Sequence, residues 1–131
     1  MIPSVKATLF TDTLEQREYE VQYLLITDIF QSVTKREEQP EYASIKTSIQ
    51  EEGLFNPLLL LKNTKENHDL AMRQVNSDYI TEFTNDFPYI CIVGNQRLQA
   101  CKELYYSRVP CIVADTIEWS HAVFLALKNN S

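Results

Sequence analysis

A glycine, two amides and an arginine stand together at Gly94-Asn95-Gln96-Arg97, directly after the apolar run YICIV (89–93). The residues that follow have helical apolar spacing, so these four positions coincide with the start of a predicted helix. The first backbone N–H groups of a helix have no partner within it and favour an anion. Glycine lets an anion approach the backbone, and arginine binds phosphate with paired hydrogen bonds. These residue types indicate phosphate binding; the structural alternative is a tight strand-to-helix turn with Arg97 solvated or paired to a carboxylate.

Three cysteines and two histidines are the other side chains that could bind a metal; they are Cys91, Cys101, Cys111, His68 and His121. Their spacing lacks the short cysteine pairs that structural zinc sites use. A free cysteine in an apolar strand is commonly a small core residue, which fits Cys91 and Cys111. The odd cysteine count also argues against a disulfide framework. We therefore predict reduced, buried thiols and no zinc.

Apolar strands that alternate with helices must position these residues. The predicted strands are Tyr19–Ile29, with a turn near Asp28, then 58–61, 89–93 and 109–115, preceded by a further strand at Val5–Phe10. The predicted helices run from Pro40 to a left-handed cap at Gly53, over 95–106, and over Thr116–Asn130 with Thr116 in the cap region. This alternation predicts a small α+β (mixed α/β) domain.

The polar region 63–87 interrupts the alternation. A weak helical stripe runs through it, and we predict one helix between loops; the stripe is Leu70, Val75, Tyr79, Ile80 and Phe83. The aromatic and aliphatic side chains of the region, Tyr79, Ile80, Phe83 and Phe87, either dock on the core, which we expect, or present a surface to a partner.

Composition and charge narrow the function. The chain has 131 residues, which suits one domain spanning 1–131. With 18 acidic and 12 basic residues its net charge is −6, which disfavours autonomous binding to the phosphates of duplex DNA. No apolar run reaches the roughly 18 residues of a membrane span, and the N-terminal residues lack the regions of a signal peptide. We predict a cytoplasmic protein without membrane association.

Two segments resemble the sequence boxes of the ParB N-terminal, or ParB/sulfiredoxin-like, family. IVGNQRLQACKELYYSRVPCIVAD (92–115) is similar to the second box, in which a strand, a glycine, an arginine and a Val-Pro strand follow in order. IKTSIQEEGLFNPLLL (45–60) resembles the first box, with Gly-Leu, a proline and an apolar strand. ALKNN (126–130) resembles the end of a third box. Relative to this pattern, 63–87 is an insertion.

The resemblance implies a compact ParB/sulfiredoxin-like fold, a small mixed sheet with flanking helices. It also implies a nucleotide site, and in ParB proteins the nucleotide is CTP with Mg²⁺. Carried over by position, one wall of the site is Gly53, Leu54, Asn56 and Pro57, and the phosphates are cradled by Gly94, Asn95, Gln96 and Arg97. Asn130 matches the asparagine near the metal. We expect a nucleotide, CTP or ATP, with Mg²⁺.

Departures from the family pattern weaken some of the implied activities. Gln96 replaces one of two paired arginines, and Asn129 replaces a glutamate of the third box. Asn56 is shorter than the usual glutamine. Simple binding is therefore favoured over CTPase-like NTP hydrolysis. Sulfiredoxins place a catalytic cysteine directly after the box glycine, where this chain has Asn95, so the sequence predicts against sulfiredoxin chemistry.

Our leading hypothesis is a ParB-like protein, of phage or mobile-element type, that binds a nucleotide and acts in DNA-associated processes. One alternative is a non-catalytic protein-interaction module with a vestigial pocket, using 63–87 as its partner surface. Another is a metal-dependent nuclease or a small-molecule kinase on the same fold, for which Asp28 is the catalytic carboxylate that we single out. The sequence leaves a homodimer open.

Overall fold

The structure of the chain is a computed structural model that describes residues 4–9, 15–31, 40–54, 56–73 and 84–129. Its strands are β1 (Ser4–Leu9), β2 (Glu15–Glu20), β3 (Gln22–Leu25), β4 (Ile29–Gln31), β5 (Leu58–Lys62), β6 (Tyr89–Val93) and β7 (Arg108–Ala114). Its helices are α1 (Tyr42–Glu52), α2 (Lys65–Met72), α3 (Asn95–Glu103) and α4 (Ile117–Asn129), and a 3₁₀ turn (Ile26–Asp28) joins β3 to β4. The predicted mixed sheet with flanking helices, an α+β fold, is confirmed.

A mixed five-stranded sheet in the order β3-β7-β5-β6-β4 forms the centre of the domain. Strand β5 runs parallel to β7 and antiparallel to β6, and β6 runs parallel to β4. Strands β1 and β2 form a separate antiparallel pair, which packs against α4. Because β6 leads directly into α3, the sheet fixes the direction in which the start of that helix points.

Strand β5 separates two apolar cores, as the uniformly apolar run LLLL predicts. Leu58 and Leu60 belong to the core beneath α1 and α3, whereas Leu59 and Leu61 belong to the core beneath α2 and α4. All four side chains are at most 1 % exposed. Since successive side chains of a strand point to opposite faces, a strand covered on both faces needs apolar residues at every position.

The single strand predicted over Tyr19–Ile29 is wrong. The segment divides into the end of β2, all of β3, the 3₁₀ turn and the start of β4. Its residues pair with three different strands, since Tyr19 pairs with Val5, Gln22 with Cys111 and Ile29 with Tyr89. Strand propensity is a property of the local sequence, but a change of pairing partner is decided by residues far along the chain.

Two helix ends differ in detail from the sequence prediction. Helix α1 ends at Gly53 as expected, and the Gly53 N–H donates to the Ile49 carbonyl at 2.8 Å. Gly53 has φ +84° and ψ 174°, so it turns the chain into an extended path rather than the left-handed cap that was predicted. Helix α3 ends at Glu103, before the predicted 106, because Tyr105 adopts φ +62°. Thr116 caps α4 as predicted, accepting the Trp119 N–H at 3.3 Å.

Side-chain amides anchor both described ends of the region 63–87. Asn63 Nδ2 donates to the carbonyls of Thr84 and Phe87 at 2.9 and 2.6 Å. Asn67 Nδ2 donates to the carbonyls of Lys62 and Asp115 at 3.0 and 2.8 Å. The region contains the helix α2, whose Ala71 and Met72 join the core beneath α4, and Leu70 is the residue of the predicted stripe that lies within it.

Of the four side chains expected to dock on the core, Phe87 is described, and its ring centroid lies 5.5 Å from that of Phe30. Residues 74–83, which carry most of the predicted stripe, lie outside the described residues. Across the described residues, no helix combines the length and the apolar character needed to span a membrane.

Candidate functional site

The two sequence boxes meet at a cavity of about 600 Å³ between α1 and the start of α3. Seven of the predicted site residues line it, namely Gly53, Leu54, Asn56, Gly94, Asn95, Gln96 and Arg97. Pro57 is not among the lining residues, but its carbonyl oxygen accepts a hydrogen bond from Arg97. Helix α1 and its N-cap Glu41 supply the facing wall, which the sequence reasoning missed; the residues of α1 there are Ser44, Ile45, Ser48 and Ile49.

Gly94 connects β6 to α3 in the left-handed conformation, with φ +104° and ψ 24°. No side chain caps α3, and the first backbone hydrogen bond of the helix is from Leu98 N–H to the Gly94 carbonyl at 2.8 Å. The backbone N–H groups of Gln96 and Arg97 precede that bond and have no partner within the helix. The start of α3 lines the cavity and carries the positive end of the helix dipole, an arrangement that attracts anions.

Gly94 is also sterically required. A Cβ on this residue would lie 2.7 Å from Leu58 Cδ2, 2.9 Å from Arg97 Nη2 and 3.2 Å from Arg97 Cζ. The guanidinium group of Arg97 therefore rests against the bare backbone of Gly94. The glycine satisfies both the backbone conformation and the space that the arginine occupies.

Arg97 is a cation with neutral partners. Its Nη1 donates to the carbonyl of Asn56 at 2.7 Å and to that of Pro57 at 3.3 Å. Burial lowers the pKa of Arg97 from its usual value, and among the described residues no carboxylate forms an ion pair with it. A positive charge in the first turn of a helix is also at the unfavourable end of the helix dipole. The site thus holds positive charge that an anionic ligand would compensate.

The two amides at the start of α3 form hydrogen bonds within the protein. Gln96 Nε2 donates to Glu41 Oε1 at 3.1 Å, which joins the N-terminal ends of α3 and α1 across the cavity mouth. Asn95 is 5 % exposed, and its Nδ2 donates to the Cys91 carbonyl at 3.3 Å. The hydrogen bond from Gln96 places the carboxylate of Glu41 at the edge of a site whose other groups favour anions.

The structure does not bring Asp28 into this site. Asp28 ends the 3₁₀ turn just before Ile29, which pairs with Tyr89 at the start of β6. Gly94 follows the other end of β6, five residues from Tyr89, or about 16 Å at the usual rise of a strand. The catalytic role of Asp28 stays a prediction. Asn130, the predicted metal-associated residue, lies outside the described residues.

The cysteines lie in the core and not in the cavity. Cys91, Cys101 and Cys111 are each 0 % exposed. Burial raises the pKa of Cys101 to about 11 and that of Cys111 to about 12, so both thiols are protonated at neutral pH. Within the described ranges, no group of three His, Cys, Asp or Glu side chains is arranged to hold a metal ion.

A charged pair joins the two helices that enclose the cavity. Lys46 Nζ of α1 lies 2.8 Å from Glu103 Oε1 of α3, and Gln99 Nε2 donates to Glu103 Oε2 at 2.9 Å. Hydrogen bonds from Lys46, Gln99 and Tyr42, in decreasing order of effect, lower the pKa of Glu103 to about 2.

Replacing Glu103 with glutamine is expected to reduce the free energy of unfolding in a pH-dependent way. Because the pKa of Glu103 falls from 4.5 to about 2 on folding, its contribution is complete above pH 4.5 and disappears as the pH falls to about 2. The group is one third exposed, so we expect a loss of only about 0.5–1 kcal/mol near pH 7. Urea denaturation from pH 3 to pH 7 measures it, with Glu51→Gln on α1 as control. A Glu103→Gln effect that stays constant over this range would contradict the assignment.

Comparison with known proteins gives two similarities and one absence. The family model described as ParB N-terminal domain matches residues 11–131. Among solved structures, the chain is similar to a Pnob8-like ParB-N domain, with a TM-score of 0.51 and 16 % sequence identity. That match covers 86 % of this chain and 37 % of the other, so this chain spans just over a third of its length, and the likeness concerns the fold. No curated protein matched the sequence.

Proposed function

The chain belongs to the ParB N-terminal domain family, and from this premise we propose that it binds a nucleotide through its phosphates at Gly94–Arg97. One observation carries the proposal. Arg97 presents a partly buried positive charge beside the cavity, with carbonyl oxygens but, among the described residues, no carboxylate as partner. In a chain with 18 acidic and 12 basic residues, a cation without a counter-ion is a costly arrangement that a bound anion would relieve.

The form of the cavity supports a small phosphorylated ligand over a bare anion. Its volume of about 600 Å³ lies in the range of roughly 300–1,000 Å³ found for small-molecule sites. The N-terminus of α3 provides N–H donors on one side, and the hydroxyl groups of Ser44 and Ser48 provide neutral polar groups on the other. A site with N–H donors on one side and hydroxyl groups on the other suits a ligand that has phosphates at one end and polar, uncharged groups at the other.

We propose that Mg²⁺ accompanies the nucleotide, CTP or ATP. Magnesium is usually held by substrate phosphates together with one or two carboxylates, so a dedicated cluster of protein ligands is not required. Glu41 is the carboxylate that the described wall of the cavity offers for this purpose. Magnesium would neutralise phosphate charge beside Glu41, and binding would then tolerate this carboxylate. We propose binding and assign no hydrolytic step.

Because the chain belongs to the ParB N-terminal domain family, we further propose that the protein acts in a DNA-associated process. Its net charge of −6 disfavours strong binding of this chain alone to the phosphates of duplex DNA. We therefore expect nucleotide binding to be the autonomous activity of this chain and any DNA contact to be weak by itself.

Isothermal titration calorimetry with CTP, ATP and ADP, each with and without Mg²⁺, tests the proposal. We expect the wild type to bind at least one of them and Arg97→Ala to bind it roughly 10–100-fold more weakly, since hydrogen bonds involving a charged group contribute about 1.5–3 kcal/mol. Arg108→Ala is the matched control, because Arg108 donates to the Tyr23 carbonyl outside the cavity. A parallel titration with duplex DNA should show much weaker binding. If no nucleotide binds, the proposal fails and the interaction-module alternative gains support.

A further inference from the structure

Strand β3 forms an edge of the five-stranded sheet, where β7 is its neighbour. The Ile26 N–H donates to the Ser107 carbonyl at 3.0 Å, next in register to the pair of Leu25 and Arg108. Along an antiparallel strand, the backbone groups of successive residues point alternately toward the partner strand and away from it. The backbone groups of Tyr23 and Leu25 therefore point away from β7, and within the described ranges no further strand pairs with them.

Large apolar side chains surround this edge. Tyr23 and Leu25 lie on the same face of β3, and both are exposed, Tyr23 to 62 %. Tyr105, which is 93 % exposed, lies two residues before Ser107 and therefore close to the end of β3. The described residues hold four large apolar side chains that are exposed, and the fourth is Phe124 of α4. Three of the four thus lie at one edge of the sheet.

Tyr105 has a backbone conformation that an aromatic residue rarely adopts. Its φ is +62°, in the left-handed region where glycine is favoured at the end of a helix. Because nearly all of its side chain is in solvent, packing within the chain offsets little of this cost. A tyrosine that contributes so little to the stability of its own chain indicates a contact with another molecule.

Arg108 places a positive charge at the same edge. It is directly opposite Leu25, so its side chain lies on the face that carries Tyr23 and Leu25, and its Nη1 donates to the Tyr23 carbonyl at 3.2 Å. The guanidinium thus covers one acceptor of the unpaired edge. Within the part of the chain that the structure describes, Arg108 forms no ion pair. A carboxylate would bind this guanidinium more strongly than a carbonyl does, and would release the carbonyl for pairing.

We propose that the edge of β3 binds an extended peptide segment of another protein, with apolar side chains at alternate positions and an aspartate or glutamate. The segment adds as a strand and pairs with the backbone groups of Tyr23 and Leu25. Its apolar side chains contact Tyr23, Leu25 and Tyr105, and its carboxylate binds Arg108. A second copy of this chain fits less well, because β3 (QYLL) offers Arg108 no carboxylate and two chains of net charge −6 repel each other. The proposal is independent of nucleotide binding.

Selection from a library of random short peptides displayed on phage tests this proposal. We expect the enriched peptides to alternate apolar residues and to contain an acidic residue. Arg108→Ala should bind such a synthetic peptide roughly tenfold more weakly, but should not lose affinity for its counterpart with an amide in place of the carboxylate. Tyr23→Ser should weaken binding of both peptides, and Arg73→Ala, at the end of α2, is the control. If no peptide is enriched, or if Tyr23→Ser and Arg108→Ala bind like the wild type, the proposal fails.

Replacing Tyr105 with glycine separates a role in docking from a role in folding. Since glycine suits a φ of +62°, the urea midpoint of Tyr105→Gly should rise, whereas its affinity for the selected peptide should fall roughly tenfold. Wild-type affinity in this variant would contradict the contact assigned to Tyr105.

Nuclear magnetic resonance and light scattering locate the site and identify its occupant. On titration with the selected peptide, the amide signals of Tyr23 and Leu25 should shift, and their hydrogen exchange should slow at least tenfold. Shifts confined to other strands or helices would overturn the proposal. Without peptide, we expect a monomer by light scattering. A dimer that Tyr23→Ser dissociates would assign the edge to a second copy of the chain and would equally overturn it.

Discussion

Replacing Gly94 with alanine is expected to lower the free energy of unfolding by about 2–4 kcal/mol and to remove nucleotide binding. An L-residue in the left-handed conformation costs about 1–2 kcal/mol, and forced overlap in a packed region adds about 1–3 kcal/mol. The overlap is with Leu58 Cδ2, at 2.7 Å, in a side chain that is 0 % exposed and cannot move freely. Arg97 Nη2 must also move, and because the guanidinium is rigid, Nη1 then moves away from the carbonyls of Asn56 and Pro57.

Urea denaturation and calorimetry with CTP and Mg²⁺ measure the two consequences of Gly94→Ala. Gly94→Asn is the control, because asparagine tolerates positive φ better than alanine but carries the same Cβ. We expect both variants to lose binding, since both displace Arg97. Wild-type affinity in Gly94→Asn would show that the space at Gly94 is not what positions the arginine.

Replacing Leu60 with alanine is expected to have the largest effect on stability among single truncations in the core beneath α1 and α3. Leu60 is 0 % exposed and central in β5, the strand between β6 and β7. Truncating a buried leucine costs about 2–5 kcal/mol, which is a large share of the 5–15 kcal/mol that typically stabilises a domain. Because this core supports both helices of the cavity, nucleotide binding should weaken in the same variant.

The midpoint and slope of a urea unfolding curve, followed by circular dichroism, measure the effect of Leu60→Ala. Lys62→Ala on the same strand is the matched control, since Lys62 is exposed and its pair with Asp115, at 3.1 Å, has more than half of both side chains in solvent. Such a pair contributes at most about 1 kcal/mol. A loss below 1 kcal/mol for Leu60→Ala would contradict the two-core arrangement around β5.

Much of the fold follows from local patterns in the sequence. The run LLLL at 58–61 predicts a strand covered on both faces, and the structure divides its alternate side chains between two cores. Gly53 and Gly94 predict the end of one helix and the start of another, and both have positive φ. Such features can be read from sequence because they depend on side-chain periodicity and on the backbone freedom of one residue type.

Other features could not be predicted, since they depend on contacts between distant parts of the chain. The segment Tyr19–Ile29 has the composition of one strand, but its pairing partners divide it among three. The facing wall of the cavity comes from α1, where Ser44 and Ser48 carry no recognisable motif. A signal was available in the helical spacing of those serines, which places them on one face of α1.

The sequence alone determined the buried strand at 58–61, the helix that ends at Gly53, the family, and the change from strand to helix at Gly94. Each of these depends on residue types within a short window, where periodicity and glycine conformation operate. Only the tertiary structure decided what Arg97 does there. Its guanidinium reaches the carbonyls of Asn56 and Pro57 because the sheet brings β5 beside β6. The sequence shows a cation at the start of a helix. Which groups it bonds depends on how residues about forty positions apart pack together.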